Sequence, residues 1–151
     1  MLWILLALII ALALVVLLDA PSRTEIANLT FNHPDFNNLR DGIFTGCFKG
    51  KASHTRDTDI ELVVSGGEVS SLHILKGAVD KNGKPTKRKD GKRIVDVLYT
   101  AVGEKTLDVD VITGATITTK AHLKALENAL MKAEYRSVRQ GYQNNPSISS
   151  N

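Results

Sequence analysis

From Leu2 to Leu18 the chain is an unbroken apolar run, and everything after it mixes apolar and polar positions. About 17 residues rising 1.5 Å each are at the short end of what crosses a bilayer core, so the run reads as a transmembrane helix or a signal peptide. No basic segment precedes it, and Leu18-Asp19-Ala20 is a poor match to a small-residue cleavage site, which favours a retained anchor. Pro21 to Arg40 is polar and carries Asn, Pro and Asp, as expected of a tether spanning about 65 Å at full stretch. Ile43 to Lys49 then reads as a strand. Ile60 to Val64 and Val69 to Leu75 read as a hairpin closed at Ser65-Gly66-Gly67. Val69, Leu72 and Ile74 alternate only in part, which predicts a bulge or burial of both faces at one end. Ile94 to Val102 places Ile94, Val95, Leu98 and Val102 on one face of a short helix, and Leu107 to Ile112 is a strand or extended segment. Thr118 to Tyr135 is the strongest helix, with Ala121, Leu123, Leu126, Ala129, Leu130 and Ala133 mostly on one side.

The predicted class is α+β: a small, mostly antiparallel sheet packed with a C-terminal helix and preceded by one N-terminal transmembrane helix. The expected divisions are an anchor at 1–20, a tether at 21–39, a domain at 40–136 and a disordered tail at 137–151, where Gln, Asn, Ser and Pro dominate. With 151 residues and 43% hydrophobic content, there is enough chain for one real core once the apolar run is set aside. The single cysteine, Cys47, forms no internal disulfide and is expected to pack in its strand. His33, His54, His73 and His122 have no close ligand spacing, so no metal site is assigned. Asn28-Leu29-Thr30 fits the glycosylation sequon, a pattern short enough to occur by chance.

Lys81, Lys84, Lys87, Arg88, Lys89, Lys92 and Arg93 cluster around two turn signals, Asn82-Gly83 and Asp90-Gly91. Such a cluster is either a solvated loop or small hairpin, or a docking surface for an acidic redox partner or anionic lipid headgroups. A net charge of +3 with 5% aromatic residues argues against a dedicated nucleic-acid binder.

The candidate chemistry lies in Asp110-Val111-Ile112-Thr113-Gly114-Ala115-Thr116. A compact Gly-Ala turn presents a threonine hydroxyl just before the long helix, where first-turn N–H groups and the helix dipole favour an anion. On the residues alone, this is either a phosphate attachment point or a polar loop whose threonines cap the helix and whose glycine permits the turn. Thr118 and Thr119 are expected to cap, and Thr113 to pack in the turn.

These residues resemble the covalent FMN-binding domain family, found also in the C subunit of the sodium-pumping NADH:quinone reductase and the G subunit of the Rnf complex. The shared motif is D-x-x-[ST]-G-A-T, filled here by Asp110, Thr113, Gly114, Ala115 and Thr116. Upstream, Asp41-Gly42-Ile43-Phe44-Thr45-Gly46 is similar to the D-G-x-[YF]-x-G opening of these domains, so the likeness covers roughly residues 40 to 135. One departure is Lys51 to Arg56, where many small members carry a glycine-rich turn. The resemblance implies FMN joined to Thr116 by a phosphoester, installed by a separate Mg-dependent flavin transferase with FAD as donor. It also implies an extracytoplasmic domain. Charge alone mildly favours the opposite topology, since Arg23 follows the span and no Lys or Arg precedes it.

The expected function is therefore a membrane-anchored flavoprotein relaying electrons to redox partner proteins or a quinone-linked membrane complex. Two alternatives are carried forward: a flavin-dependent reductase subunit, and an unflavinylated membrane-tethered adaptor.

Overall fold

A computed structural model of the protein describes residues 1–88, 90–112 and 114–135. Thr113, Lys89 and the tail expected at 137–151 lie outside the described residues. The elements in chain order are α1 (Leu2–Ala27), β1 (Gly42–Phe48), a short 3-10 turn (His54–Arg56), β2 (Thr58–Ser65), β3 (Glu68–Lys76), α2 (Ile94–Glu104) and α3 (Thr116–Ala133). The three strands form one antiparallel sheet in the order β1-β2-β3, with α3 packed across β1 and β2, so the fold is α+β as the apolar pattern predicts.

Alternation drives the sheet. In β2, Thr58, Ile60, Leu62 and Val64 point inward and are buried, while the residues between them are less so. β3 cannot follow that rhythm unbroken, because Val69 is out of phase with Leu72 and Ile74. A bulge resolves this: Val64 faces Val69 and Val63 faces Ser71, leaving Ser70 extra, and the Ser70 hydroxyl donates to the Val63 carbonyl at 3.2 Å. A second shift, with Asp59 opposite Lys76 and Ile60 opposite Ile74, leaves Leu75 unpaired.

Two devices set the distance between helix and sheet. Ala121, Ala125, Ala129 and Ala133 recur every fourth residue of α3 and are fully buried, so this face of the helix is flat. Gly46 of β1 lies against it. A Cβ added at Gly46 would come within 2.0 Å of the Ala125 carbonyl oxygen and 2.5 Å of the Ala129 nitrogen, so backbone meets backbone there. Leu123, Leu126 and Leu130 supply the apolar mass beside this stripe. Each contributes about 1.5–3 kcal/mol by leaving water.

The segment read as a tether is largely structured. α1 runs through Pro21 to Ala27, and its last turns reach the domain, burying Ser22 and Ile26. Residues 28–40 then lie along α3. Glu127, which is 1% exposed, accepts from the Asn32 backbone N–H at 3.0 Å, its side-chain amide at 2.6 Å and Lys124 Nζ at 2.7 Å. A buried carboxylate with three donors is satisfied, and it pins this segment to the helix. Phe36 and Leu39 are buried beside it, and the Arg40 N–H donates to the Ala133 carbonyl at 2.8 Å. The helix boundaries also move slightly from the sequence reading, with α2 reaching Glu104 and α3 running 116–133. Residues 107–112, read from the sequence as a strand or extended segment, form no strand and do not join the sheet. Cys47 lies in β1 as expected but is exposed, since it alternates with buried Gly46 and Phe48.

Candidate functional site

The opening of the domain has a structural job. Asp41 Oδ1 accepts the Gly67 N–H at 2.8 Å, closing the β2–β3 turn, and this bond, aided by the Gly66 N–H, holds the carboxyl below its ordinary range. The Phe44 ring sits beneath Gly42, with the Arg40 guanidinium 5.5 Å from its centroid. Gly46 is the close approach to α3 described above.

The Asp110 to Thr116 segment connects the end of α2 to the start of α3. Its turn depends on Gly114, whose φ of +75° is costly for any residue with a side chain, and on the Ala115 N–H donating to the Ile112 carbonyl at 2.8 Å. Ile112 and Ala115 are buried and fix the turn to the core, while Gly114 is exposed and Thr116 half-buried. Thr116 is the first helical residue, with Ala115 as N-cap and no side-chain cap. The threonines thus depart from the capping role expected of them. Thr119 is fully buried and its hydroxyl donates back to the Ala115 carbonyl at 2.9 Å, which ties the first turn together without serving its N–H groups. Thr118 contributes its carbonyl, which accepts His122 Nδ1 at 2.7 Å.

Sequence reasoning missed Arg88. It lies beside the Gly114 turn: a Cβ built on Gly114 would be 3.4 Å from its Nη2. Two tight turns bring it there. Asp80 accepts the Asn82 and Lys84 N–H groups at 2.8 and 3.0 Å, and the Arg88 N–H donates to Lys92 while Arg88 accepts from Gly91, each at 3.0 Å. The Arg88 Nε is buried without a hydrogen-bond partner among the described residues, and its nearest carboxylate, Asp90, is 3.9 Å away. Asp110 is exposed and lines a cleft of about 470 Å³ with Lys92, Arg93, Asp96 and Thr100 of the α2 side. Across that cleft Arg93 holds Asp96 in a 2.6 Å ion pair, which lowers the Asp96 pKa.

A phosphate carried on Thr116 suits this surrounding. The hydroxyl stands at the positive end of an 18-residue helix, and beside the Gly114 turn lies the Arg88 guanidinium, whose Nε has no acceptor among the described residues.

A search among curated proteins returns no match. The model of the FMN-binding domain family matches residues 49–131, a stretch that begins just after β1, contains Asp110 to Thr116 and ends within the last turns of α3. More than half of the chain fits that model, so the protein belongs to the FMN-binding domain family and is an FMN-binding flavoprotein.

Proposed function

We propose that the protein is a membrane-anchored electron carrier whose FMN is joined to Thr116 by a phosphoester. One observation carries the reading: Thr116 is the first residue of α3, half-exposed and uncapped, directly after the left-handed Gly114 turn of a D-x-x-T-G-A-T segment inside the family match. Attachment would form the bond between Thr116 Oγ1 and phosphorus as the pyrophosphate of FAD breaks, with AMP leaving and the hydroxyl proton lost. A Mg-dependent flavin transferase is the partner this requires. Asp110, exposed at the edge of the cleft, is positioned to orient the loop or serve the transferase's magnesium, since a carboxylate beside a phosphate would repel it.

Bound FMN supplies reversible electron transfer, and the protein supplies position and tuning. Gly114 and Ala115, with little or no side chain, leave room for the phosphate and the modifying enzyme to approach Thr116. Ile112 and Ala115 are buried on either side of the turn and the Thr119 hydroxyl donates to the Ala115 carbonyl, which anchors the start of α3 to the core. The covalent bond keeps a small cofactor from being lost outside the cytoplasm, where we place the domain. Its donors and acceptors are redox proteins or a quinone-linked membrane complex, met through the exposed face that carries the basic loop.

Thr116→Ala tests this. It removes a hydroxyl that caps nothing, so the fold should lose well under about 1 kcal/mol, while covalent flavin and electron transfer both disappear. Co-expression with an active transferase, ultraviolet imaging of a denaturing gel and peptide mass mapping read the result. An FMN adduct on Thr113, Thr118 or Thr119 would overturn the assignment, and a wild-type chain without covalent flavin would favour the adaptor.

A further inference from the structure

We infer that Arg88 is the phosphate clamp of this site: its guanidinium reaches across the Gly114 turn to the phosphodiester on Thr116. The inference rests on the attachment proposed above and assigns a binding residue that the D-x-x-T-G-A-T motif does not contain.

Three observations converge on it. The guanidinium lies against Gly114, and Thr116 is two Cα steps further on, at most about 7.6 Å along the backbone, within the span of an arginine fork and a phosphate. Its Nε is buried and has no acceptor among the described residues, a condition that native structures seldom tolerate without a reason. Asp90 Oδ1 faces Nε from 3.9 Å in a partly exposed ion pair, too far for a hydrogen bond, so that pair leaves the Nε–H without an acceptor among the described residues. A phosphodiester monoanion answers all three, offering oxygens that accept charge-assisted N–H bonds in the bidentate geometry for which guanidinium is suited.

Gly114 then has a second duty. A Cβ there would touch Nη2 at 3.4 Å, so the glycine leaves the guanidinium room beside the turn besides allowing the left-handed conformation. The basic 77–93 segment also takes on a new meaning. Its paired turns at Asn82-Gly83 and Asp90-Gly91 fold the loop back so that one of its cations faces inward to the cofactor while Lys81, Lys84 and Lys87 stay exposed.

The test compares wild type, Arg88→Ala and Arg88→Lys, each driven to full modification with excess transferase and FAD. The readouts are the phosphorus NMR shift of the ester and the gain in melting temperature between unmodified and flavinylated forms at low salt. Wild type should show an ester signal displaced from that of the same protein in denaturant, and a clear gain in melting temperature. Arg88→Ala should return the signal to the denatured position and lose more than half of the gain, with its unmodified form melting as wild type does. Arg88→Lys, which keeps the charge without the fork, should fall between them; it also supplies the comparison if Arg88→Ala resists modification. A wild-type shift and gain in the alanine variant would overturn the clamp while leaving Thr116 attachment intact. A wild-type chain carrying no flavin on Thr116 would instead remove the attachment and the clamp with it.

Discussion

His122 shows how one side chain can tie helix, sheet and loop together without belonging to the site. It is 1% exposed, donates from Nδ1 to the Thr118 carbonyl at 2.7 Å, and accepts the Ala78 N–H on Nε2 at 3.1 Å, so its neutral form is the one that fits. Gly77 makes room for it, since a Cβ there would meet Nε2 at 2.7 Å. Burial pushes its pKa below the ordinary 6.5, against a smaller pull upward from Thr118. The stabilisation is therefore complete above 6.5 and is lost as pH falls from there through the lower folded value, because the unfolded chain takes up a proton that the native state refuses. Urea midpoints measured from about pH 7.5 down to about pH 5.5 should drop, with a slope of at most about 1.4 kcal/mol per pH unit for a single proton. His122→Gln, which can still accept from Ala78, should flatten that slope. An unchanged slope in the variant would assign the pH dependence to another group.

At the scale of elements, the decisive contact is β1 against α3. Gly46→Ala drives a methyl into the helix backbone, where neither the Ala125 carbonyl nor the Ala129 nitrogen can rotate away, so β1 must lift from the helix. The expected cost is about 1–3 kcal/mol or more by overpacking, read as a lower melting temperature. Gly103→Ala, where a Cβ would meet nothing within 4 Å and φ is not positive, is the control for an added methyl without a clash. A Gly46→Ala protein no less stable than wild type would show that helix and sheet are not held as close as described. The same contact marks what could be read in the sequence. Periods of two and 3.6 are local, so the hairpin, both domain helices and even the irregularity of β3 were legible from Ile60 to Ile74 and from Ile94 to Ala133. Contacts between distant segments were not. Nothing local to Asn32 announces Glu127 as its partner, so residues 28–40 read as a polar tether when they are fastened to α3. Arg88 likewise looked like one cation among seven, because only the fold brings it to Gly114. The threonine run favoured caps by composition, yet Ala115 took the N-cap position and Thr119 turned inward.

For the whole molecule, the question is how the flavin domain sits relative to the membrane. α1 is a single helix of 26 residues, about 39 Å at 1.5 Å per residue, and its apolar portion from Leu2 to Leu18 is exposed throughout. It is long and apolar enough to cross a membrane. Its polar end is fastened to the domain: Asp19 receives both Nη atoms of Arg56 at 2.7 and 2.8 Å, Ser22 accepts from the same guanidinium at 3.2 Å, and Glu25 takes the Lys51 and Ala52 N–H groups at 2.9 Å each. Lys51 to Arg56, the stretch that departs from the glycine-rich turn of many small relatives, is thus the contact with the anchor. A domain joined in this way cannot range over the length of a loose tether, and with α1 in a membrane the proposed attachment at Thr116 would keep a fixed height above the bilayer. We therefore predict that the full-length chain sediments with membranes and needs detergent for release, and that protease added to intact spheroplasts digests the domain while a cytoplasmic marker survives. Arg56→Ala should leave membrane retention unchanged but speed cleavage near Ser22, since the helix end loses its partner. Full-length protein recovered from the soluble cytoplasm, or a domain protected until the spheroplasts are lysed, would overturn the proposed placement.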